Sequence, residues 1–290
     1  MPSVLRCVYV DLDGTMVGRG GSLFHDEEGA VSLMGARAIE AAHRAGVEIV
    51  PVSGRRRDTV REPARALGAT AFAFEIGGGL VVDGDEFWQT GGLQPEGGRS
   101  VFEQIVSRGV VDLLTHHFEG FIELHTPWHT GREVSVLFRG DVDVAVAQQL
   151  LADHGSGDLR LIDNGYVGGL PTGGTGFQGG QGESTLDPAV ESPRSYHLAP
   201  DSVSKAAAVD RHRRVRGYEI DETISVGDSA EDVGMAAATG AFWLVGGAAE
   251  RDDAVTAARG EHSNVHVAEG GPGAAVYEAI VTTLMTGKQR

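Results

Sequence analysis

Apolar and polar positions alternate in blocks along this chain, and the blocks change character twice. CVYV (7–10) is a continuous apolar run of strand length, and MGARAIEAAHRAG (34–46) places apolar residues at helical spacing before closing on Gly46. VEIVPVSGR (47–55) is a second apolar run that opens into a glycine turn, and RDTVREPARALG (57–68) is helical, with Pro63 weakening its middle. AFAFEIGGG (71–79) reads as a third strand. Strands apolar on both faces and separated by helices predict an α/β fold with a doubly wound, Rossmann-like parallel sheet. Pro51 cannot donate to a ladder, so a bulge or an early strand end is expected there.

The same texture returns late in the chain. SKAAAVDRHRRV (204–215) is helical, ETISVGDS (222–229) is a strand ending on Asp228, AEDVGMAAATG (230–240) is a helix closed by Gly240, and AFWLVGG (241–247) is another strand. The stretch between differs. GFIELHTPW (120–128) and REVSVLFRG (132–140) have the spacing of adjacent antiparallel strands, DVDVAVAQQLLADHG (141–155) reads as a helix and LRLIDNGYV (159–167) as a further strand. PTGGTGFQGGQGESTLDPAVESP (171–193) is too rich in glycine, proline and polar residues to pack, and predicts a long loop or disordered insert. Residues 1–82 and 199–290 are therefore expected to form one α/β core, interrupted by an α+β domain over 83–198.

Composition narrows the function classes. With 41% apolar residues over 290 positions the chain is globular rather than disordered, and it is long enough for one large domain or two of ordinary size. A formal charge of −17 makes nucleic acid or an anionic membrane a poor partner, because attraction to phosphate backbones needs a basic face. A small anionic substrate remains compatible with a locally positive pocket. The single cysteine, Cys7, excludes an internal disulfide framework and reads as a small buried apolar side chain. No signal-peptide pattern and no apolar run of membrane-spanning length is seen, so a soluble, cytoplasmic protein is expected; the oligomeric state is not readable. Lysine occurs only at 205 and 288, all other cationic side chains being arginine, which makes a compact ammonium at Lys205 an exception to explain.

Four polar clusters fall where such a sheet would gather them: Asp11 and Asp13 after the first strand, Ser53-Gly54-Arg55 after the second, Asp228 after a late strand, and Lys205 opening a helix. In open α/β sheets ligands bind beyond the carboxyl ends of the strands. Two carboxylates about 4 Å apart repel by about 4 kcal/mol at an effective dielectric near 20, so Asp11, Asp13 and Asp228 together ask for a cation, and hard oxygen ligands suit Mg²⁺. With Asp201 or Ser202 as N-cap, Lys205 sits in a first helical turn, where the macrodipole disfavours a cation and a nearby anion would explain it. A helix N-terminus, a lysine, a serine hydroxyl and loop amides make a phosphate cradle.

DLDGT (11–15), SGR (53–55), Lys205 and GDSAEDVGM (227–235), in that order, resemble the four motifs of the haloacid dehalogenase-like phosphohydrolase superfamily. The resemblance spans nearly the whole chain. The long interval between Ser53 and Lys205 is where relatives with a C2-type cap, such as the Cof-like and sucrose-phosphatase-like sugar phosphatases, carry that cap, and FEIGGG (74–79) is similar to the strand and turn leading into it. The resemblance implies a Mg²⁺-dependent phosphatase of a small phosphorylated metabolite, a sugar phosphate. Asp11 would be the nucleophile and Asp13 the general acid and base. Asp11, the Asp13 carbonyl and Asp228 would hold the metal, and Ser53, the Gly54 amide and Lys205 the transferring oxygens. Asp232 would orient Lys205 or a metal-bound water, although a first-turn aspartate is also what a helix dipole favours. Gly14 and Thr15 would turn the chain so that both aspartates face one phosphorus. Arg55 has two open readings, a substrate contact or a solvated side chain. Glu231 departs from the family pattern, standing where many Cof-like relatives have Asn.

Other signals carry less. GTGFQG (174–179) satisfies a dinucleotide pattern but follows Pro171 and Thr172 rather than a strand, with no helix after it. His116, His117, His125 and His129 do not combine with a carboxylate in a zinc signature and read as surface or substrate-facing residues. Two rival functions stay in view. A phosphomutase of the same superfamily would need the intermediate shielded from water. A phospho-receiver module also gathers aspartates, a hydroxyl and a lysine at strand ends, but has no use for an inserted domain.

Overall fold

The computed structural model describes residues 4–167 and 184–288. The chain divides into two compact units, one made of the residues up to Phe87 and from Ser204 onward, the other of Trp88–Val203. Both boundaries fall a few residues beyond the predicted 82/83 and 198/199, because a hairpin after Val82 stays with the first unit and the last strand of the second runs on to Pro200.

The first unit opens with β1 (Cys7–Val10), every residue of which is buried, as a central parallel strand requires. α1 (Met34–Ala45) ends on Gly46 in the left-handed region. β2 (Glu48–Pro51) stops at its proline, at the sheet edge, and the ladder resumes when Val52 N donates to the Val10 carbonyl at 2.9 Å. α2 (Arg57–Ala66) accommodates Pro63 and ends one turn later, with Val60 and Ala64 buried on one face. β3 (Ala71–Phe74) corrects the expectation of a third parallel strand. It makes one parallel bridge, Val52 to Ala73, then turns back in antiparallel register with β4 (Gly79–Val82), and β5 (Asp85–Trp88) completes a three-stranded sheet.

The second unit begins with two short helices that the sequence pattern does not single out. α3 (Val101–Val106) is held by a capping box, Glu103 N donating to Ser100 Oγ and Ser100 N to Glu103 Oε2, and α4 (Val110–His117) starts after Gly109. Each is under three turns long, too short for a 3.6-residue period to declare itself. β6 (Ile122–Leu124) and β7 (Val136–Gly140) are antiparallel neighbours but shorter than the predicted runs, since residues 125–131 form turns between them. α5 (Val144–Asp153), capped by Asp143, and β8 (Leu159–Tyr166) lie where expected. β9 (Arg194–Pro200) was not expected; it pairs with both β7 and β8, giving the order β6-β7-β9-β8. Within the predicted 171–193 loop, residues 184–193 carry no helix or strand, and Thr185 N and Oγ1 both donate to Glu123 Oε2 at 2.6 Å. The rest of that loop, with its GTGFQG, lies outside the described residues.

The chain returns to the first unit with α6 (Lys205–Arg216), whose N-cap is Ser204 rather than Asp201 or Ser202, its Oγ accepting from Ala207 N at 3.0 Å. β10 (Thr223–Gly227) is followed by α7 (Ala230–Val233), which gives way to a 3₁₀ turn at Gly234–Ala238 instead of running to residue 240. Side chains satisfy that turn's carbonyls from outside an α ladder: Thr239 Oγ1 donates to Met235 O and Asn264 Nδ2 to Ala236 O. β11 (Ala241–Leu244), α8 (Ala248–Arg251), α9 (Asp253–Gly260), β12 (Val265–Val267) and α10 (Ala274–Lys288) complete the unit. The five-stranded sheet has the order β12-β11-β10-β1-β2 and every pairing is parallel. Cys7 and Tyr9 pack one face with residues of α6, α7 and α9, while α10, which packs on α1, contacts β10 and β11, so the sheet is doubly wound. Among the described residues no helix is long and apolar enough to cross a membrane.

At the amino end of β1 and β2 lies a buried polar network. Glu48 Oε1 accepts from Arg216 at 2.8 Å and Oε2 from the Tyr218 hydroxyl at 2.9 Å, while Tyr9 OH bonds His212 Nδ1 at 2.9 Å. Cys7 lies beside Glu48 and His212, but Arg216 already neutralises the carboxylate, so the group serves structure rather than a cation. Burial alone would raise the Glu48 carboxyl; hydrogen bonds from His212, Arg216 and Tyr218 outweigh it and hold it at about 2. A carboxyl depressed by folding stabilises the native state above its unfolded pKa, near 4.5, and loses that contribution as pH falls toward 2. Glu48→Gln is therefore expected to cost about 2–3 kcal/mol at pH 7, a difference that closes between about pH 4.5 and pH 2 in urea titrations.

Candidate active site

The carboxyl ends of β1, β2 and β10 and the amino end of α6 bring the predicted residues together at one edge of the parallel sheet. The centre is Lys205. Its side chain is 1% exposed, and Nζ donates to Asp11 Oδ1 at 2.8 Å and to Asp232 Oδ1 at 2.6 Å. Burial alone would discharge the ammonium, but the two carboxylates outweigh it and push its pKa up, so it stays protonated. This accounts for a lysine in a first helical turn. The anions it faces come from the end of β1 and from α7.

Asp232 serves both roles that the sequence left open. It closes the capping box of α7 with Ser229, its Oδ2 accepting from Asp228 N, Ser229 N and Ser229 Oγ, while Oδ1 takes Lys205. Glu231 has a local part as well: its Oε1 accepts from Lys205 N at 3.2 Å, placing a carboxylate at the positive end of α6.

Asp11, Asp228 and Asp232 set carboxylate oxygens within 4.8 Å of one another, with one ammonium among them. Asp228 Oδ1 accepts from Thr15 Oγ1 at 2.6 Å. Burial, followed by the Asp232 charge, raises the Asp228 carboxyl to about 7, and burial likewise pushes Asp11 up despite Lys205. Among the described residues Asp11 Oδ2 and Asp228 Oδ2 accept no hydrogen bond. An Asp228 oxygen that accepts no hydrogen bond, beside the Asp11 carboxylate in a buried site with surplus negative charge, fits a hard divalent cation. The backbone is shaped to the same end: at Gly14, with φ +77°, a Cβ would fall 2.5 Å from Asp228 Oδ2.

Ser53 is buried, its Oγ accepting from Arg55 N at 3.2 Å, and Gly54 beside it is partly exposed. A tight turn braces this loop: Glu75 N donates to Arg55 O at 2.8 Å and Ile76 N to Ser53 O at 3.0 Å. Glu75 and Ile76 are buried and both have positive φ, 49° and 53°, a costly conformation for non-glycine residues. At Gly77 a Cβ would fall 2.3 Å from the Ser204 carbonyl, so the turn also packs against the start of α6. FEIGGG thus positions two of the predicted clusters at once, a role no motif spacing reveals.

Asp13 stands apart from the carboxylate group. Its two oxygens face Arg55, which donates from Nε to Oδ2 at 2.6 Å and from a terminal nitrogen to Oδ1. Arg55 thus pairs with Asp13 at the exposed side of the site, its own side chain 28% exposed. None of His116, His117, His125 and His129 joins a group of ligand atoms close enough to share an ion among the described residues, and burial pushes His125 down to about 4.

No family model matches the chain. It is 23% identical over 300 residues to Phosphatase YwpJ of Bacillus subtilis (strain 168), covering 91% of this chain and 98% of that one. It is 24% identical over 238 residues to a phosphoglycolate phosphatase of Methanoculleus marisnigri, 82% of each chain. Among solved structures, the sucrose-phosphatase from Synechocystis sp. PCC6803 in complex with sucrose and phosphate superposes with a TM-score of 0.66 at 15% identity, over 97% of this chain and 98% of that one. The subclass IIB sugar phosphatase BT4131 of the haloacid dehalogenase superfamily gives 0.57 at 14% identity, over 98% and 99%. The curated relatives are named phosphatases, and the solved neighbours show that the chain has the fold of capped sugar phosphatases of the haloacid dehalogenase superfamily. The four motif clusters lie in the first unit, and the second unit fills the long interval between the second and third of them.

Removing the shared ammonium leaves buried carboxylates without their cation. Lys205→Met is expected to lower unfolding free energy by about 3 kcal/mol in urea denaturation of the metal-free protein. A loss under about 1 kcal/mol would show that the two carboxylates are neutralised by other means.

Proposed function

We propose that the protein is a Mg²⁺-dependent phosphomonoesterase that dephosphorylates a small phosphorylated metabolite, a sugar phosphate, through an aspartyl phosphate on Asp11. The observation that carries this reading is the state of Asp11: one carboxylate oxygen is held by a buried ammonium at 2.8 Å and the other accepts no hydrogen bond among the described residues. Lys205 orients the carboxylate and leaves Oδ2 to act as nucleophile. The names of the sugar phosphatases that share the fold support the substrate class.

In the first step Asp11 Oδ2 forms a bond to phosphorus as the bond to the leaving oxygen breaks, and Asp13, once released from Arg55 and protonated, gives that oxygen its proton. In the second, Asp13 takes a proton from water as the water oxygen bonds to phosphorus, and the Asp11–phosphorus bond breaks to release phosphate. Ser53 Oγ, Gly54 N and Lys205 Nζ bind the transferring oxygens. Asp11, Asp228 and the Asp13 carbonyl would hold Mg²⁺, which would supply charge neutralisation between the carboxylate nucleophile and the phosphate dianion. Thr15 and Asp232 keep Asp228 and Lys205 in place through the hydrogen bonds described above.

Asp11→Asn is expected to abolish phosphate release from a panel of sugar phosphates, phosphoglycolate and nucleotides while leaving the circular dichroism spectrum unchanged. Retained turnover would remove Asp11 from the nucleophile's role. Chelation of divalent metal is expected to stop turnover of the unmodified protein and added Mg²⁺ to restore it; turnover indifferent to chelation would contradict the metal assignment.

A further inference from the structure

We propose that Glu231 sets how tightly the site holds phosphate: its carboxylate takes up the positive end of α6, and its fixed negative charge weakens phosphate binding so that product leaves. The inference rests on the phosphatase reading above and adds to that same site a residue that tunes it. Successive residues at the start of α7 hold the two ends of Lys205. Glu231 Oε1 accepts from the Lys205 main-chain N–H at 3.2 Å, and Asp232 Oδ1 accepts from its ammonium at 2.6 Å.

The sequence predicts that the start of α6 contributes to a phosphate cradle, because amides and the macrodipole at a helix N-terminus attract anions. Two of those amides go instead to the protein's own oxygens. Lys205 N donates to Glu231, and Ala207 N donates to Ser204 Oγ at 3.0 Å. The helix end therefore reaches the site with a carboxylate already on it. The group it offers a phosphoryl oxygen is the Lys205 ammonium, which is 1% exposed and shared between Asp11 and Asp232.

A phosphate dianion entering this site meets a surplus of negative charge. Asp11, Asp228 and Asp232 set oxygens within 4.8 Å of one another, and the partly buried Glu231 adds a further carboxylate next to Asp232 in the chain. Charges fixed a few ångströms apart at a partly buried edge act through an effective dielectric well below that of water, so one carboxylate changes the affinity for a dianion several-fold. Glu231 has no part in the chemistry proposed above: Asp11 would attack, Asp228 would hold the metal and Asp232 orients Lys205. Its charge acts on binding, of product and of substrate alike.

The test is calorimetric titration of the full-length protein with inorganic phosphate at saturating Mg²⁺, alongside steady-state kinetics on a sugar phosphate that the wild type hydrolyses. Glu231→Gln keeps an oxygen that can accept from Lys205 N and removes the charge. It is expected to bind phosphate about fivefold or more tightly, with KM for the ester falling in step. Glu231→Asp keeps the charge on a shorter side chain and is expected to stay within about twofold of the wild type. A residue that merely braced the start of α6 would show the reverse, impaired by shortening and spared by the amide. Should the glutamine variant fail to fold, Glu231→Ala carries the same comparison. A gain in phosphate affinity of less than about fivefold in the charge-free variant, or a loss, overturns the inference while leaving the phosphatase reading intact. So does an aspartate variant that binds phosphate as tightly as the glutamine one. A wild type that hydrolyses no ester of the panel overturns that reading and this inference with it.

Discussion

One buried ammonium organises the core unit. Lys205 Nζ is shared by Asp11 at the end of β1 and Asp232 at the start of α7, so two elements far apart in sequence are tied to the first residue of a helix. A lone charge there would be expelled, and each carboxylate alone would protonate. Together they persist, and the group keeps an excess of negative charge that a divalent cation would answer. The loops around it serve that arrangement: Thr15 fixes one oxygen of Asp228, Gly14 leaves room for the other, and Asp232 doubles as the cap of α7.

The second organising constraint is backbone rather than charge. The turn after β3 holds Glu75 and Ile76 at positive φ and spends their amides on the carbonyls of Arg55 and Ser53. Strain of this kind persists where surrounding structure over-determines it. Here it fixes the loop that bears Ser53 and Arg55 while Gly77 lets the turn approach α6.

The parallel core was legible because its strands are apolar on both faces and its helices end on glycine, as at Gly46. Local signals failed where the partner was distant. β3 has the composition of a central strand, and only its antiparallel register with β4 shows that it leaves the parallel sheet after one bridge. β9 follows a glycine-rich stretch and owes its strand to two neighbours, β7 and β8. α3 and α4 are too short for periodicity to mark them, and α7 yields to a 3₁₀ turn because Asn264 and Thr239 reach its carbonyls.

By itself the sequence determined the order of the chemistry: aspartates at a strand end, a serine-glycine turn, an isolated lysine in a first helical turn, and a late Asp228. Those are properties of residue type and spacing, and side-chain ionisation and helix dipoles act on them locally. Which charges meet was decided by the tertiary structure. Lys205 could have faced any anion, and folding paired it with Asp11 and Asp232; Arg55 could have been solvated, and folding set it on Asp13. The reason is that a pair's energy depends on distance and burial, and both are set by strand order and loop packing rather than by spacing along the chain.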